Sequence, residues 1–122
     1  MKKLMPSLRE GRRYLAFESL SPVPVGEEGF RRVLLQESRD LYGDRGTADL
    51  DLWLVEFREN MGLLRCRPDG VSRARALLGV VHRVGETPLA IRVVGVSGTI
   101  RGARRHLSPA REVLPPLDPS FQ

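Results

Sequence analysis

The sequence has little cysteine, little histidine and no long apolar run, and each shortage excludes a class of protein. Cys66 is the only cysteine among the 122 residues, which excludes an internal disulfide and a multi-cysteine metal site. No apolar run approaches the roughly 20 residues that a membrane-spanning helix needs. The first residues are basic, but no apolar segment follows before Arg9. We therefore expect no secretory signal and a cytoplasmic location.

The few candidate catalytic groups do not form a recognisable motif. His82 and His106 stand in no pattern with a nucleophile or with metal ligands. Asp49 and Asp51 are predicted on one face of a strand and could bind a metal, but no third ligand is evident. We expect no catalytic residue, no metal site and no cofactor bound by the chain, and we interpret the two aspartates as strand-edge or interface groups.

What the chain has in quantity is arginine, since only Lys2 and Lys3 of its 20 basic residues are lysines. The net charge of +5 is unevenly distributed. Residues 1–25 carry five basic and two acidic side chains, and residues 60–113 carry ten and three; residues 26–59 instead carry five and nine. This asymmetry predicts two surfaces with different partners, of which the basic one suits a polyanion such as nucleic acid.

Hydrophobic periodicity predicts the element order β-α-β-β-α-β. We expect strands at 12–20, 49–57, 63–67 and 88–96, helices at 26–43 and 68–85, and a short last helix at 99–107. This order is typical of the ferredoxin-like or RRM-like α/β fold, in which two helices cover one face of a four-stranded antiparallel sheet. We expect a single domain over 1–107 with a basic arm at its start, and a mobile proline-rich tail over 108–122.

Several finer expectations concern the ends and faces of these elements. Gly43 and Gly85 are expected to end the two long helices, and Asp69 to cap the second. In the strand 49–57, alternation would place one set of apolar residues on each face: Leu50, Leu52 and Leu54 against Trp53, Val55 and Phe57. We expect Trp53 and Phe57 to be covered by the N-terminal arm or by a protein partner, in preference to stacking on bases.

The segment SGTIRGARRHL, residues 97–107, combines a small polar turn with a basic helix. Ser97 or Thr99 can cap this helix, Gly98 permits an unusual backbone angle, and the free amides could hold a phosphate. On a helical wheel the apolar and basic residues occupy adjoining sides: Ile100, Ala103 and Leu107 against Arg101, Arg104 and Arg105. The helix can therefore pack on the domain while its arginines contact RNA.

Several sequence blocks carry a family resemblance: RRYLAFE, a helix ending in LYG, LDLWLVEF, LLRCR and IRVVGVSGTIRGARR. Together, from about Leu8 to Arg105, they resemble the archaeal ribonuclease P protein component 2 family, which is related to the small Pop-type subunits of the eukaryotic enzyme. The resemblance implies an α/β sandwich that binds and stabilises the catalytic domain of ribonuclease P RNA. It also implies pairing with the TIM-barrel-like protein component 3, and a heterotetramer built around a component 2 homodimer. In such a particle the RNA and its magnesium ions remove the 5′ leader from precursor tRNA.

The expected RNA-binding residues lie in the two basic stretches of the chain. They are Arg9, Arg12, Arg13, Arg65, Arg67, Arg92, Ser97, Gly98, Thr99, Arg101, Arg104 and Arg105. The acidic stretch 26–59 is expected to face a protein. Two alternatives are a ferredoxin-like protein-interaction module without RNA binding, and a small metal-dependent nuclease that uses Asp49 and Asp51. An ordinary RNA-recognition domain is disfavoured because the strand LLRCR has no stacking aromatic.

Overall fold

The chain folds around one four-stranded sheet, as given by a computed structural model that describes residues 11–107. Its elements are β1 (Arg13–Leu20), α1 (Glu27–Leu50), β2 (Trp53–Arg58), β3 (Met61–Cys66), a 3-10 turn (Pro68–Gly70), α2 (Val71–Val80), β4 (Arg83–Val84), β5 (Thr87–Pro88), β6 (Ala90–Ser97) and α3 (Ile100–Arg105). The sheet order is β2-β3-β1-β6 with antiparallel neighbours. This confirms the predicted ferredoxin-like arrangement. No helix in the described range is both long and apolar enough to cross a membrane.

The main core lies between the sheet and the helices α1 and α2. Leu15 and Phe17 alternate onto this face of β1 and are fully buried. Phe17, Phe30 and Phe57 stack on one another with ring centroids 4.4 to 6.0 Å apart. The predicted α2 stripe packs in the same core: Val71, Ala74, Leu77, Leu78 and Val81. Three elements distant in sequence are therefore joined by apolar burial, the main favourable contribution to folding.

The opposite sheet face carries a smaller core beneath α3. Ala16, Leu63 and Ala103 are fully buried there. Ile100 and Leu107 pack around them from either end of α3, so the apolar side of this helix docks as its sequence pattern predicts. The short helix covers the middle of a face that would otherwise be open.

The element α1 consists of two helical arms, because the chain leaves the helical conformation at Gly43 and resumes it as far as Leu50. Gly43 has φ 74° and ψ 175°, a conformation that is nearly restricted to glycine. The hydroxyls of Ser38 and Thr47 share a 2.7 Å hydrogen bond across the bend, and Leu50 is fully buried. These contacts hold the second arm. Gly43 therefore ends the first helical arm as expected, and what the sequence did not predict is the second arm that follows it to Leu50.

The extra helical arm displaces the start of the second strand from residue 49 to Trp53. Asp49 lies within α1, and Asp51 is its left-handed C-cap with φ 53°. The prediction that Asp49 and Asp51 share a strand face is therefore wrong. A metal site formed by two carboxylates on one strand face would require that geometry.

A register shift between Leu54 and Glu56 changes the faces of β2. An extra residue at such a bulge reverses the alternation beyond it. Leu54 and Phe57 consequently both enter the main core, whereas Val55 packs beneath α3. The prediction that Trp53, Val55 and Phe57 share a face opposite Leu54 is wrong: Phe57 is buried within the domain.

The region after α2 also differs from expectation. The helix ends at Val80, and Gly85, with φ 60°, instead forms the turn between β4 and β5. Asp69 makes no capping hydrogen bond because Gly70 occupies the N-cap position, one residue later. The strand predicted from residue 88 begins at Ala90, since residues 87–88 are used in the small hairpin.

Candidate nucleic-acid interface

The turn before α3 is held by its own hydroxyl groups. The Thr99 side-chain oxygen accepts a 2.9 Å hydrogen bond from the Gly102 amide, which confirms Thr99 as the cap. The Ser97 hydroxyl accepts one of 3.2 Å from the Thr99 amide. These two amides already have partners, so the turn 97–99 has fewer free donors for a phosphate than an uncapped helix start. Its principal role in the structure is to fix the direction of α3.

The far end of α3 is positioned by His106. Its ring lies so close to Gly95 on β6 that a Cβ atom at Gly95 would collide with it. His106 is half-buried and ends the helix, with its amide donating to the carbonyls of Ala103 and Arg104. His106 is therefore one of the residues through which α3 packs against the sheet.

A cleft of about 620 Å³ lies between α3 and the β2–β3 hairpin. Its lining residues are Glu56, Arg58, Glu59, Met61, Arg101, Arg104, Arg105 and Leu107, and we call it the α3 cleft. The three arginines predicted to form one basic side of α3 all reach it. Four arginines against two glutamates make its lining net positive, so a phosphate group is a chemically suitable ligand.

Arg58 belongs to this cleft although it was not among the predicted RNA-binding residues. It ends β2, next to a tight turn in which Glu59 and Asn60 have φ of 55° and 62°. The sequence does predict a hairpin there. What it does not reveal is that α3 folds back beside that hairpin, so no local signal connects Arg58 with residues 101–105.

The arginines of the cleft differ in whether they have a carboxylate partner. Arg104 donates to both carboxylate oxygens of Glu56, at 2.7 and 3.3 Å, and thereby links α3 to β2. This hydrogen bonding, with the nearby charge of Glu56, raises the pKa of the Arg104 guanidinium. Arg101 and Arg105 are exposed and form no ion pair within residues 11–107. Their guanidinium groups are thus available to an external anion.

A second basic group lies on the same sheet face, around Asp51. The Asp51 carboxylate binds Arg12 at 2.9 Å and Arg65 at 3.7 Å. The Arg65 guanidinium also sits 5.9 Å from the ring centroid of Trp53, within cation–π range. The buried Nε of Arg65 has no hydrogen-bond partner in the described part of the chain. The structure therefore brings Arg12 and Arg65 together, apart from α3.

The other predicted residues are dispersed. Arg92 pairs with Glu18 at 2.7 Å. Glu18 is five positions from Arg13 on β1, so these two residues are about 16 Å apart at the strand rise. Arg67 lies 3.7 Å from Asp69, and Arg13 donates to the carbonyl of Arg12. Arg9 lies outside the described residues, as do most of the basic arm and the tail 108–122.

The remaining reactive side chains occupy ordinary structural positions. Within the described part of the chain, no three His, Cys, Asp or Glu residues are grouped as a metal site would require. Cys66 is buried in the main core, and this burial, helped by the charge of Asp69, raises the pKa of its thiol to about 11. His82 is exposed just beyond α2.

The fold and the α3 cleft together define a small α/β protein with a basic cleft on one face of a ferredoxin-like sheet. The chain belongs to the Rpp14/Pop5 family, whose model matches residues 13–108.

Similar proteins named ribonuclease P protein component 2 are found in several archaea. The relative from Methanosarcina mazei is 35% identical over 84% of this chain and 89% of its own. Those from Methanocaldococcus jannaschii and Pyrococcus horikoshii are 36% and 35% identical, over 85% and 86% of this chain and 78% and 89% of theirs. A chain in a cryo-EM structure of yeast ribonuclease MRP has the same fold, with a TM-score of 0.61 at 12% identity over 92% of this chain and 94% of that one.

Proposed function

We propose that this chain is a protein subunit of ribonuclease P and that it binds the catalytic domain of the ribonuclease P RNA. Membership of the Rpp14/Pop5 family and the names of its archaeal relatives support this assignment. The protein stabilises the folded RNA for 5′-leader removal from precursor tRNA. The magnesium ions and the cleavage chemistry belong to the RNA.

The observation that carries the proposal is the α3 cleft. Arg101 and Arg105 have no carboxylate partner within residues 11–107, so phosphate binding there requires no internal ion pair to break. Arg104 stays paired with Glu56 and keeps the helix in place. Because each phosphate contact releases counterions, RNA affinity should fall steeply as salt concentration rises.

The first test is reconstitution of precursor-tRNA cleavage. The cognate ribonuclease P RNA, magnesium and protein component 3 are combined with and without this chain. We expect 5′-leader removal at modest magnesium concentration only when the chain is present. Equal cleavage without it, together with no salt-dependent RNA binding, would favour the protein-interaction module. RNA cleavage by the isolated chain with magnesium would instead indicate a nuclease.

The second test separates the α3 cleft from net charge. The variant R101E/R105E should lose about two phosphate contacts, which lowers the salt slope of binding by about two and the affinity by tenfold or more. The matched control is R32E/R75E, the same change in charge at exposed helical arginines on the other side of the sheet. If both variants lost RNA affinity equally, or if neither lost any, an RNA site at the α3 cleft would be contradicted.

The partner-facing side is proposed to be the outer surface of α1. This helix contains much of the acidic stretch and exposes two large apolar residues, Leu35 and Leu41. Exposed apolar groups among charged ones are typical of a protein contact. We propose component 3 as its partner, with a second copy of this chain joining two such pairs.

A further inference from the structure

We infer that Trp53 and Arg65 form a stacking site for an unpaired nucleobase, separate from the phosphate-binding α3 cleft. The inference rests on the proposed function, because it names which part of an RNA the second basic group receives. Trp53 is the only tryptophan of the chain and keeps 59% of its residue surface exposed. A large exposed indole beside a guanidinium is a suitable surface for a base, since every base has a flat π face.

The geometry around Asp51 orients this pair. Asp51 holds Arg65 at 3.7 Å while it is itself bound by Arg12 at 2.9 Å. The Arg65 guanidinium lies 5.9 Å from the Trp53 centroid. A base stacked on the indole would add to the existing cation–π contact between Arg65 and Trp53. Two arginines against one carboxylate leave a net positive charge for the phosphates that flank the base.

The strand pairing around Arg65 is a second indication. The buried Nε of Arg65 has no hydrogen-bond partner within residues 11–107, and such groups are rare because an unmade bond costs free energy. Tyr14 lies opposite Arg65 in the β1–β3 register, and Trp53 lies opposite it in the β2–β3 register. The arginine is therefore flanked by an aromatic residue on each neighbouring strand, a pattern that the sequence of β3 alone does not contain.

The site and the α3 cleft can be reached by one RNA segment. Trp53 and Glu56, which lines the cleft, lie opposite Arg65 and Leu63. Those two residues are two positions apart on β3, or about 7 Å at the strand rise. Arg65 shares its sheet face with Leu63, which packs beneath α3. This continuity with the basic cleft favours RNA over a protein as the occupant. A groove of about 180 Å³, lined by Leu34, Leu35 and others, also adjoins Trp53.

Because Trp53 is the only tryptophan, its fluorescence reports on this site alone. The full chain is titrated with a short oligoadenosine strand, with an RNA duplex of equal length and with inorganic polyphosphate. We expect strong quenching by the single strand, little by the duplex and none by polyphosphate, which lacks bases. Binding of labelled RNA is followed in parallel by anisotropy.

Variants at Trp53 distinguish stacking from simple apolar contact. Trp53→Ala and Trp53→Leu should weaken single-strand binding about five- to a hundredfold, whereas Trp53→Tyr should restore most of it. All three should bind polyphosphate as the parent does and keep its melting temperature, because the side chain is largely exposed. If Trp53→Leu bound the single strand as tightly as Trp53→Tyr, the stacking assignment would be overturned.

The two proposals fail in different ways. If labelled RNA binds tightly while Trp53 fluorescence and the Trp53→Ala affinity stay unchanged, the stacking site is wrong and the RNA-binding function stands. If no RNA binds at modest salt, the proposed function itself is wrong. Loss of component 3 binding in Trp53→Ala, with RNA binding intact, would assign the surface to a protein and overturn the stacking site.

Discussion

Gly95 is the residue that allows α3 to lie against the sheet. A methyl group at this position would occupy the space of the His106 ring. The ring belongs to the C-cap residue of α3, so an added methyl group would require a different His106 rotamer or a shift of the helix. Glycine is needed here for close approach of two elements, and the reason is not visible in the local sequence.

The substitution Gly95→Ala should therefore destabilise the protein. Overpacking of this kind costs about 1–3 kcal/mol. The control is Gly79→Ala in α2, where a Cβ meets nothing within 4 Å and where alanine should stabilise the helix by about 0.5–1 kcal/mol. Urea unfolding measures both free energies. If Gly95→Ala were as stable as the parent, the His106 contact would not hold α3.

Because of Cys66, the free energy of unfolding should vary with pH in the alkaline range. Its folded pKa of about 11 is above the 9.0 of an ordinary thiol, so the folded state favours the protonated form. The stabilisation is complete below pH 9 and is lost as pH rises towards 11, with a loss of about 1.4 kcal/mol at pH 10.

The free energy of unfolding at pH 8 and pH 10, compared between the parent and Cys66→Ala, checks this. Both tyrosines are present in both proteins, so their titration cancels. We expect the parent to lose about 1.4 kcal/mol more than the variant between the two pH values. An equal loss in the two proteins would mean that the thiol ionises as easily in the folded state as in the unfolded one.

Periodic patterns in the sequence correctly predicted those features of the helices and strands that depend on nearby residues. The first strand, the α2 stripe and the Thr99 cap each depend on residues a few positions apart, and all three are confirmed. The same holds for β3, where Leu64 and Leu63 pack on opposite faces as alternation requires.

The failures at this scale all have tertiary causes. Gly43 does interrupt the helix, as a glycine should, but burial of Leu50 and the Ser38–Thr47 hydrogen bond hold a second helical arm beyond it. The β2 bulge shifts Phe57 into the main core, where it stacks on Phe30 at 4.4 Å. Burial of an aromatic ring outweighs strict alternation, and no count of apolar positions along the strand reveals this.

The candidate site was predictable in part for the same reason. Arg101, Arg104 and Arg105 lie within one helix, and their common exposure follows from helical spacing. Their meeting with Arg58 across the α3 cleft, and the grouping of Arg65 with Trp53, depend on strand pairing between distant segments. Sequence proximity could therefore identify the basic helix but not the complete surface.

The proposed RNA binding could depend on the net charge of the protein or on where its charges lie, and the two cases predict different results. The helices α1 and α2 pack on one side of the sheet and α3 on the other, so the acidic residues of α1 and the α3 cleft are separated by the sheet. At physiological salt, screening acts over about 8 Å. The two surfaces should then act independently.

Opposite charge reversals on the two surfaces test this independence. D40R/D49R, at exposed positions of α1, raises the net charge by four units, and R101E/R105E lowers it by four. We expect D40R/D49R to keep RNA affinity within about twofold and to weaken component 3 binding, because repulsion replaces complementary contact. R101E/R105E should do the reverse, with titrations of RNA and of component 3 as the measurement. If D40R/D49R instead tightened RNA binding as strongly as R101E/R105E weakened it, net charge alone would govern association, and the uneven charge along the chain would have no functional meaning.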